Sequence, residues 1–146
     1  MMIDAEDLVI RKEIHVNVPV ERAFQVFTAG LQDWWPTETH SMAKGAVSAD
    51  WRVGGLVVEM AGEQRFEWAD VLEYDPPSAF RLRWRVNPEK PPTELKVAFI
   101  AEGDGTRVEL THAGWESFAD RADEEFQGYM SGWDVVLGRY VSHAKG

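Results

Sequence analysis

Three side chains in this sequence have the right chemistry for proton transfer: Asp70, His112 and Tyr129. Asp70 lies in the run RFEWADVLEY, on the parity of Trp68 and Leu72, where an ionised carboxylate facing a core is costly without a partner. Placed so, it is either a general base with a raised pKa or the anchor for a ligand's polar end. A bulge or strand end that turns it to solvent is the other outcome. His112 closes the run TRVELTH on the parity of Val108 and Leu110. It is either the partner of Asp70 across a cavity, with Tyr129 as a further donor, or a buried histidine whose hydrogen bonds are satisfied structurally.

The second group is aromatic. Seven tryptophans are many for 146 residues, and each combines a large apolar area with a single N–H donor. Trp34 and Trp35 stand side by side in LQDWWPTETH, with Pro36 directly after them, so no regular helix is expected to carry them inward. One ring is expected to pack inward and the other to stand at a cavity mouth, unless both merely pin the loop against Trp51. Trp68, Trp84 and Phe99 on strand parities, and Trp133 on a helical stripe, complete the candidate lining. Glu38 and His40 lie two residues apart but have no third ligand nearby in sequence, so no metal is expected.

Other chemistries are excluded or unsupported. There is no cysteine, which removes disulfides, thiolate metal sites and thiol nucleophiles. GDGTR lies between two strand-like runs rather than at a strand-to-helix turn, so it is no phosphate cradle, and no serine nucleophile elbow occurs; no cofactor is expected. The 25 acidic against 15 basic residues give a net charge of −10, a surface that repels nucleic acid and anionic lipid. The N-terminal MMIDAEDLVIRKEI lacks the basic start and long apolar run of a secretory leader, and no stretch is long and apolar enough for a membrane span. A cytoplasmic location is the default.

The elements that must position these residues follow from periodicity. IRKEIHVNV (10–18) alternates as a half-buried strand, its apolar parity broken by Lys12. Pro19 opens an amphipathic helix carrying Val20, Ala23, Phe24, Phe27 and Leu31, with Gly30 at its end. Short strands follow at 46–50, 56–60, 65–74, 80–86, 94–100 and 106–112, separated by turn signals such as Gly54-Gly55, Asp75-Pro76-Pro77 and Gly103-Asp104-Gly105. After Trp115 the period changes: Phe126, Tyr129, Met130, Trp133, Leu137 and Tyr140 make one stripe of a helix expected over about 118–143. Gly128, Gly132 and Gly138 interrupt that helix, each at a cost of roughly 1 kcal/mol relative to alanine, for close packing or for the approach of a ligand. The order predicts one α+β domain over residues 1–146, an antiparallel sheet of six to seven strands with helices on one face.

NVPVERAFQVFT leading into WWP, the paired glycines before a strand, YDPPSAFRLRW, GDGTRVELTHAGW and the Gly132-Trp133 helix occur in an order that resembles a known family. It is that of proteins similar to the C-terminal domain of the activator of heat shock protein 90 ATPase, within the birch-pollen-allergen and START-like superfamily. The resemblance spans roughly residues 9–143. It implies a helix-grip fold, in which a curved antiparallel sheet wraps a long C-terminal helix, with two short helices after the first strand. It also implies a cavity for a hydrophobic or aromatic small molecule, which Trp34, Trp35, Trp68, Asp70, Trp84, Phe99, His112, Tyr129 and Trp133 would line. Two other readings stay open: a cyclase or dehydratase working through Asp70, His112 and Tyr129, and a stress or chaperone-cofactor module with a protein partner or a homodimer.

Overall fold

The computed structural model describes residues 8–145, and the first half of the N-terminal stretch read above for a leader lies outside them. Seven strands form one antiparallel sheet: β1 (Ile10–Val16), β2 (Ala46–Ala49), β3 (Leu56–Ala61), β4 (Gln64–Asp75), β5 (Ala79–Trp84), β6 (Thr93–Glu102) and β7 (Gly105–Ala113). Their spatial order is β1-β7-β6-β5-β4-β3-β2. Consecutive strands from β2 to β7 are therefore hairpin neighbours. The chain reaches the far edge from β1 through two short helices, α1 (Val20–Phe27) and α2 (Leu31–Trp34). A 3-10 turn over Trp115–Arg121 then leads into α3 (Ala122–Lys145), which lies across the concave face. This is the helix-grip arrangement.

The helices differ from expectation in detail. The single helix expected to include Leu31 breaks after Phe27, and a second short one begins at Leu31, so Trp34 ends a helical turn rather than sitting on an open loop. The C-terminal helix starts at Ala122, because Ala119, at φ 53°, breaks the preceding turn. Lys12, the polar exception in β1, lies beneath α3 and bonds Asp134 at 2.9 Å, which explains why the apolar parity fails there.

The core fills the space between the concave face and the helices. Ile10, Val16, Val71, Phe80, Leu82, Val97, Val108 and Leu110 rise from the sheet, and Trp133, Val136, Leu137 and Tyr140 descend from α3. The Tyr140 hydroxyl donates to the Ala23 carbonyl at 2.8 Å, locking α3 to α1. On the convex face arginines alternate with acids. Arg81 bridges Glu73 and Glu94, and Arg85 bridges Glu67 and Asp70.

Strand β4 carries two bulges, and they decide which of its residues face inward. Along β3 the register runs Val57↔Ala69 and then Val58↔Glu67, so Trp68 is an extra residue. Along β5 it runs Val71↔Leu82 and then Glu73↔Arg81, so Leu72 is a second one. Each extra residue shifts the alternation by one. Ala69, Val71 and Tyr74 face the core opposite Trp84, Leu82 and Phe80. Asp70 stands opposite Arg83 on the convex face.

Candidate functional site

A cavity of about 160 Å³ opens between the sheet and the N-terminal half of α3. Trp68, Trp84 and Val86 come from the sheet side, Tyr129, Gly132, Trp133 and Val136 from α3, and Trp35, His40 and Ser41 from the segment after α2. The indoles contact one another through edges and tilted faces. Trp35 lies 5.3 Å from Trp68, 6.1 Å from Trp84 and 6.1 Å from Trp133, centroid to centroid. Such offset arrangements are the favourable ones for aromatic rings and leave ring faces available to a planar guest. Beneath the floor only about 20 Å³ of void remains, roughly the room for one water, so nothing larger can pass deeper.

The segment that supplies Trp35, His40 and Ser41 is held rigidly. The Trp35 N–H donates to the His40 carbonyl at 2.7 Å, and the Thr39 hydroxyl lies 2.7 Å from His40 Nδ1. Arg139 of α3 pairs with Glu38. The strongest tie is Glu59 of β3, a fully buried carboxylate. It accepts backbone N–H bonds from Met42 (2.8 Å), Ala43 (3.0 Å) and Gly45 (2.7 Å). Burial pushes this carboxyl up, but the three amides, helped by the nearby Trp68 side chain, outweigh burial and hold it below its usual value. The Trp68 N–H itself makes no hydrogen bond of ordinary geometry, so its contribution to Glu59 is through proximity. Gly45 is required here because a Cβ would stand 2.3 Å from the Met60 carbonyl oxygen.

Asp70 is the main correction among the expected site residues. It lies outside the cavity and receives a two-pronged bond from Arg85, Nε to Oδ2 at 2.8 Å and an NH2 nitrogen to Oδ1 at 3.0 Å. That bond holds its carboxyl below the usual range, the reverse of a base with a raised pKa. Asp70 and His112 are on opposite faces of the sheet and form no pair. His112 is fully buried behind the cavity wall. Trp133 Nε1–H donates to its Nδ1 at 3.0 Å, which fixes the proton on Nε2, where the partner is the Thr93 hydroxyl at 2.6 Å. Burial pushes its pKa down to about 3, so it stays neutral, as a satisfied structural histidine does.

Phe99 sits at the far end of the concave face, packed edge-on against Phe24 at 5.1 Å and Phe27 at 5.7 Å, away from the cavity. Trp34 is the ring packed inward, its N–H bonded to the Val26 carbonyl at 2.8 Å, while Trp35 lines the cavity. Trp68, Trp84, Tyr129 and Trp133 line it as well. Sequence reasoning missed His40 and Ser41 as lining residues and Glu59 as their support. Glu59 could have been found, since it shares the inward parity of Val57. Nothing in the local sequence signals His40. Among the described residues no group of three His, Asp or Glu side chains is placed to hold a metal, and no helix is long and apolar enough to cross a membrane.

No protein of curated function matches the sequence. Among solved structures, CalU16 from Micromonospora echinospora superposes with a TM-score of 0.70 at 22% identity, over 94% of this chain and 74% of that one. The Aha1 dimer from Colwellia psychrerythraea gives 0.67 at 18% identity, over 94% and 96%. A protein described as "an anthrahydroquino-Gama-pyrone synthase Txn09 complexed with SUM" gives 0.58 at 28% identity, over 96% and 99%. The sequence itself matches the family described as "Activator of Hsp90 ATPase homolog 1-like protein" over residues 17–142. With that match spanning most of its length, the chain belongs to the Activator of Hsp90 ATPase homolog 1-like family.

Proposed function

We propose that this protein binds an apolar, planar aromatic small molecule in the tryptophan-lined cavity beside α3. The observation that carries this reading is the cavity itself, where Trp35, Trp68, Trp84 and Trp133 surround about 160 Å³ of space. A void of about 150 Å³ with apolar walls accepts a benzene ring, so the enclosed part of the ligand is one or two fused rings. Anything larger projects through the open mouth. The likeness to Txn09, a synthase whose name specifies a fused aromatic product, adds weight to an aromatic guest. Binding is favoured over acid–base catalysis by the residues first considered, because Asp70 is tied to Arg85 outside the cavity and His112 is sealed behind Trp133.

The test is a titration with naphthalene followed through the indole N–H resonances of the tryptophans. Trp35, Trp68, Trp84 and Trp133 are expected to shift together and saturate. Trp34 and Trp115, whose N–H groups bond buried carbonyls away from the cavity, should stay in place. Absence of any saturable shift, or shifts confined to the other tryptophans, would end this reading.

A further inference from the structure

The polar groups at the cavity are few, and they constrain the ligand beyond its flatness. Tyr129 and Gly132 are three residues apart on α3 and face the cavity together. The Tyr129 oxygen accepts the Trp84 N–H at 3.2 Å, but among the described residues nothing accepts the tyrosine's own proton. Burial pushes the phenol's pKa up, so the group remains a donor throughout the neutral range. His40 lies over Gly132, its Nε2 edge 3.8 Å from where a Cβ on that glycine would stand. Its other ring nitrogen is already engaged by Thr39. The polar lining groups are therefore the Tyr129 hydroxyl, the His40 imidazole edge and Ser41, whose hydroxyl already donates to the Thr37 carbonyl at 2.6 Å, and the other lining residues are apolar.

Charge narrows the choice further. No lysine or arginine lines the cavity. The nearest cations are spent on acids: Lys90 on Glu125 at 2.7 Å, Arg85 on Asp70, and Arg139 on Glu38. A carboxylate or phosphate guest would lose its hydration and find no counter-charge. A hydrocarbon guest would leave the Tyr129 proton without an acceptor in a site from which it had displaced water.

Building on the aromatic-ligand reading above, we infer that the natural ligand is an uncharged ring compound carrying a carbonyl oxygen, which accepts the Tyr129 O–H beside His40. The rings stack among Trp35, Trp68 and Trp84, and the carbonyl points to α3. Specificity then comes from the tyrosine, because an analogue without the oxygen buries the same area but leaves the donor unmatched.

The experiment compares three bicyclic probes: tetralin, 1-tetralone and the anion 1-naphthoate. Each is titrated into the wild-type protein and into Tyr129→Phe, following the same indole resonances. The wild type should bind 1-tetralone roughly 3- to 10-fold more tightly than tetralin, the worth of one net hydrogen bond. It should bind 1-naphthoate more weakly than either. Tyr129→Phe should bring tetralone and tetralin to about the same affinity, by weakening tetralone and by removing the unmatched donor that penalises tetralin, and saturable tetralin binding also shows that the variant is folded. Equal affinities in the wild type, a tetralone preference that survives Tyr129→Phe, or a preference for the anion would overturn the inference while tetralin binding upholds the aromatic cavity. If no probe binds the wild type, both fall together.

Discussion

The two ends of the space between sheet and α3 are built from the same kind of residue and reach opposite results. At one end Phe80 and Phe99 rise from the sheet and are met by Phe24 and Phe27 from α1 and Tyr140 from α3, with centroids 4.8–6.3 Å apart in the contacts made. Every ring there finds another, and the space closes. At the other end Trp68 and Trp84 rise from the sheet in the same way, and α3 sends Tyr129 and Trp133 against Trp84, but Gly132 beside them brings no side chain and the segment around His40 covers only part of the gap. The difference lies not in how aromatic each end is but in whether every facing helix position brings a side chain to fill it. Aromatic richness alone thus does not distinguish core from pocket; the opposing residue does.

The largest effect expected from breaking this contrast is at the closed end. Phe80 is 1% exposed and touches Phe24, Phe27, Phe99 and Trp51. Phe80→Ala should cost about 3–5 kcal/mol through lost burial and the cavity left behind. For a chain of this size that lowers Tm by roughly 10–15 °C, readable by calorimetry. Phe80 does not line the cavity but borders the small void beneath its floor with Trp35, Trp68, Trp84 and Trp133, so naphthalene affinity, measured well below the new Tm, should stay nearly unchanged if that floor holds. A large loss of affinity in a folded variant would mean that the two ends are one continuous unit.

His112 lies behind the tryptophan wall, and its substitution is the next largest. In His112→Leu the Trp133 N–H and the Thr93 hydroxyl lose their partner, at an expected cost of about 2–4 kcal/mol near pH 7. The pH dependence carries the sharper signal. The folded pKa is about 3 against an ordinary 6.5, so between those values the unfolded chain takes up a proton that the folded one refuses. Stability of the wild type therefore falls as pH drops below 6.5, by up to about 1.4 kcal/mol per pH unit. Glu59 and Asp70, with folded pKa values held below 4.5 and 3.8, add their own losses only at lower pH. Denaturant titrations between pH 7 and 5 should show the gap between wild type and His112→Leu narrowing on acidification; a constant gap would refute the neutral, buried assignment.

The same contrast explains what the sequence made legible. Strand runs, hairpin turns and the change of period after Trp115 are local signals, and the sheet and the long helix follow from them. The orientation of Asp70 does not. One additional residue at Trp68 turns everything after it in β4 to the other face, and a second at Leu72 does so again. Nothing in RFEWADVLEY marks either bulge, because the backbone hydrogen bonds that define it belong to neighbouring strands. Phe99 and Trp84 read alike along their strands as well. They differ because α1 packs over Phe99, whereas Trp84 meets Tyr129 and Trp133 of α3 at a cavity that Gly132 also lines, a relation between segments far apart in the chain. His40 is held at the cavity by the Trp35 N–H on its carbonyl and by Glu59, nineteen residues further on, which gathers the amides of the segment beside it.

The smallest expected effect is also the most diagnostic, because it should move stability and affinity in opposite directions. At Gly132 a Cβ would meet His40 Cδ2 and Nε2 at 3.8 Å, ordinary contact distances, so Gly132→Ala fits without strain. The helix should gain about 0.5–1 kcal/mol from the better propensity of alanine. The methyl group, however, stands in the cavity beside His40, and naphthalene affinity should fall by roughly twofold to fivefold, the order expected when a guest gives up about one methylene's worth of contact. Gly128→Ala is the control, since a Cβ there has no neighbour within 4 Å and Gly128 does not line the cavity. It should raise Tm by a similar few degrees and leave affinity alone. If both variants gain stability and only Gly132→Ala loses affinity, the glycine costs the helix stability and keeps the cavity open. If Gly132→Ala instead binds as well as the wild type, the gap opposite Trp68 and Trp84 is only a packing defect, and the two ends of the molecule differ in how well they are filled rather than in what they do.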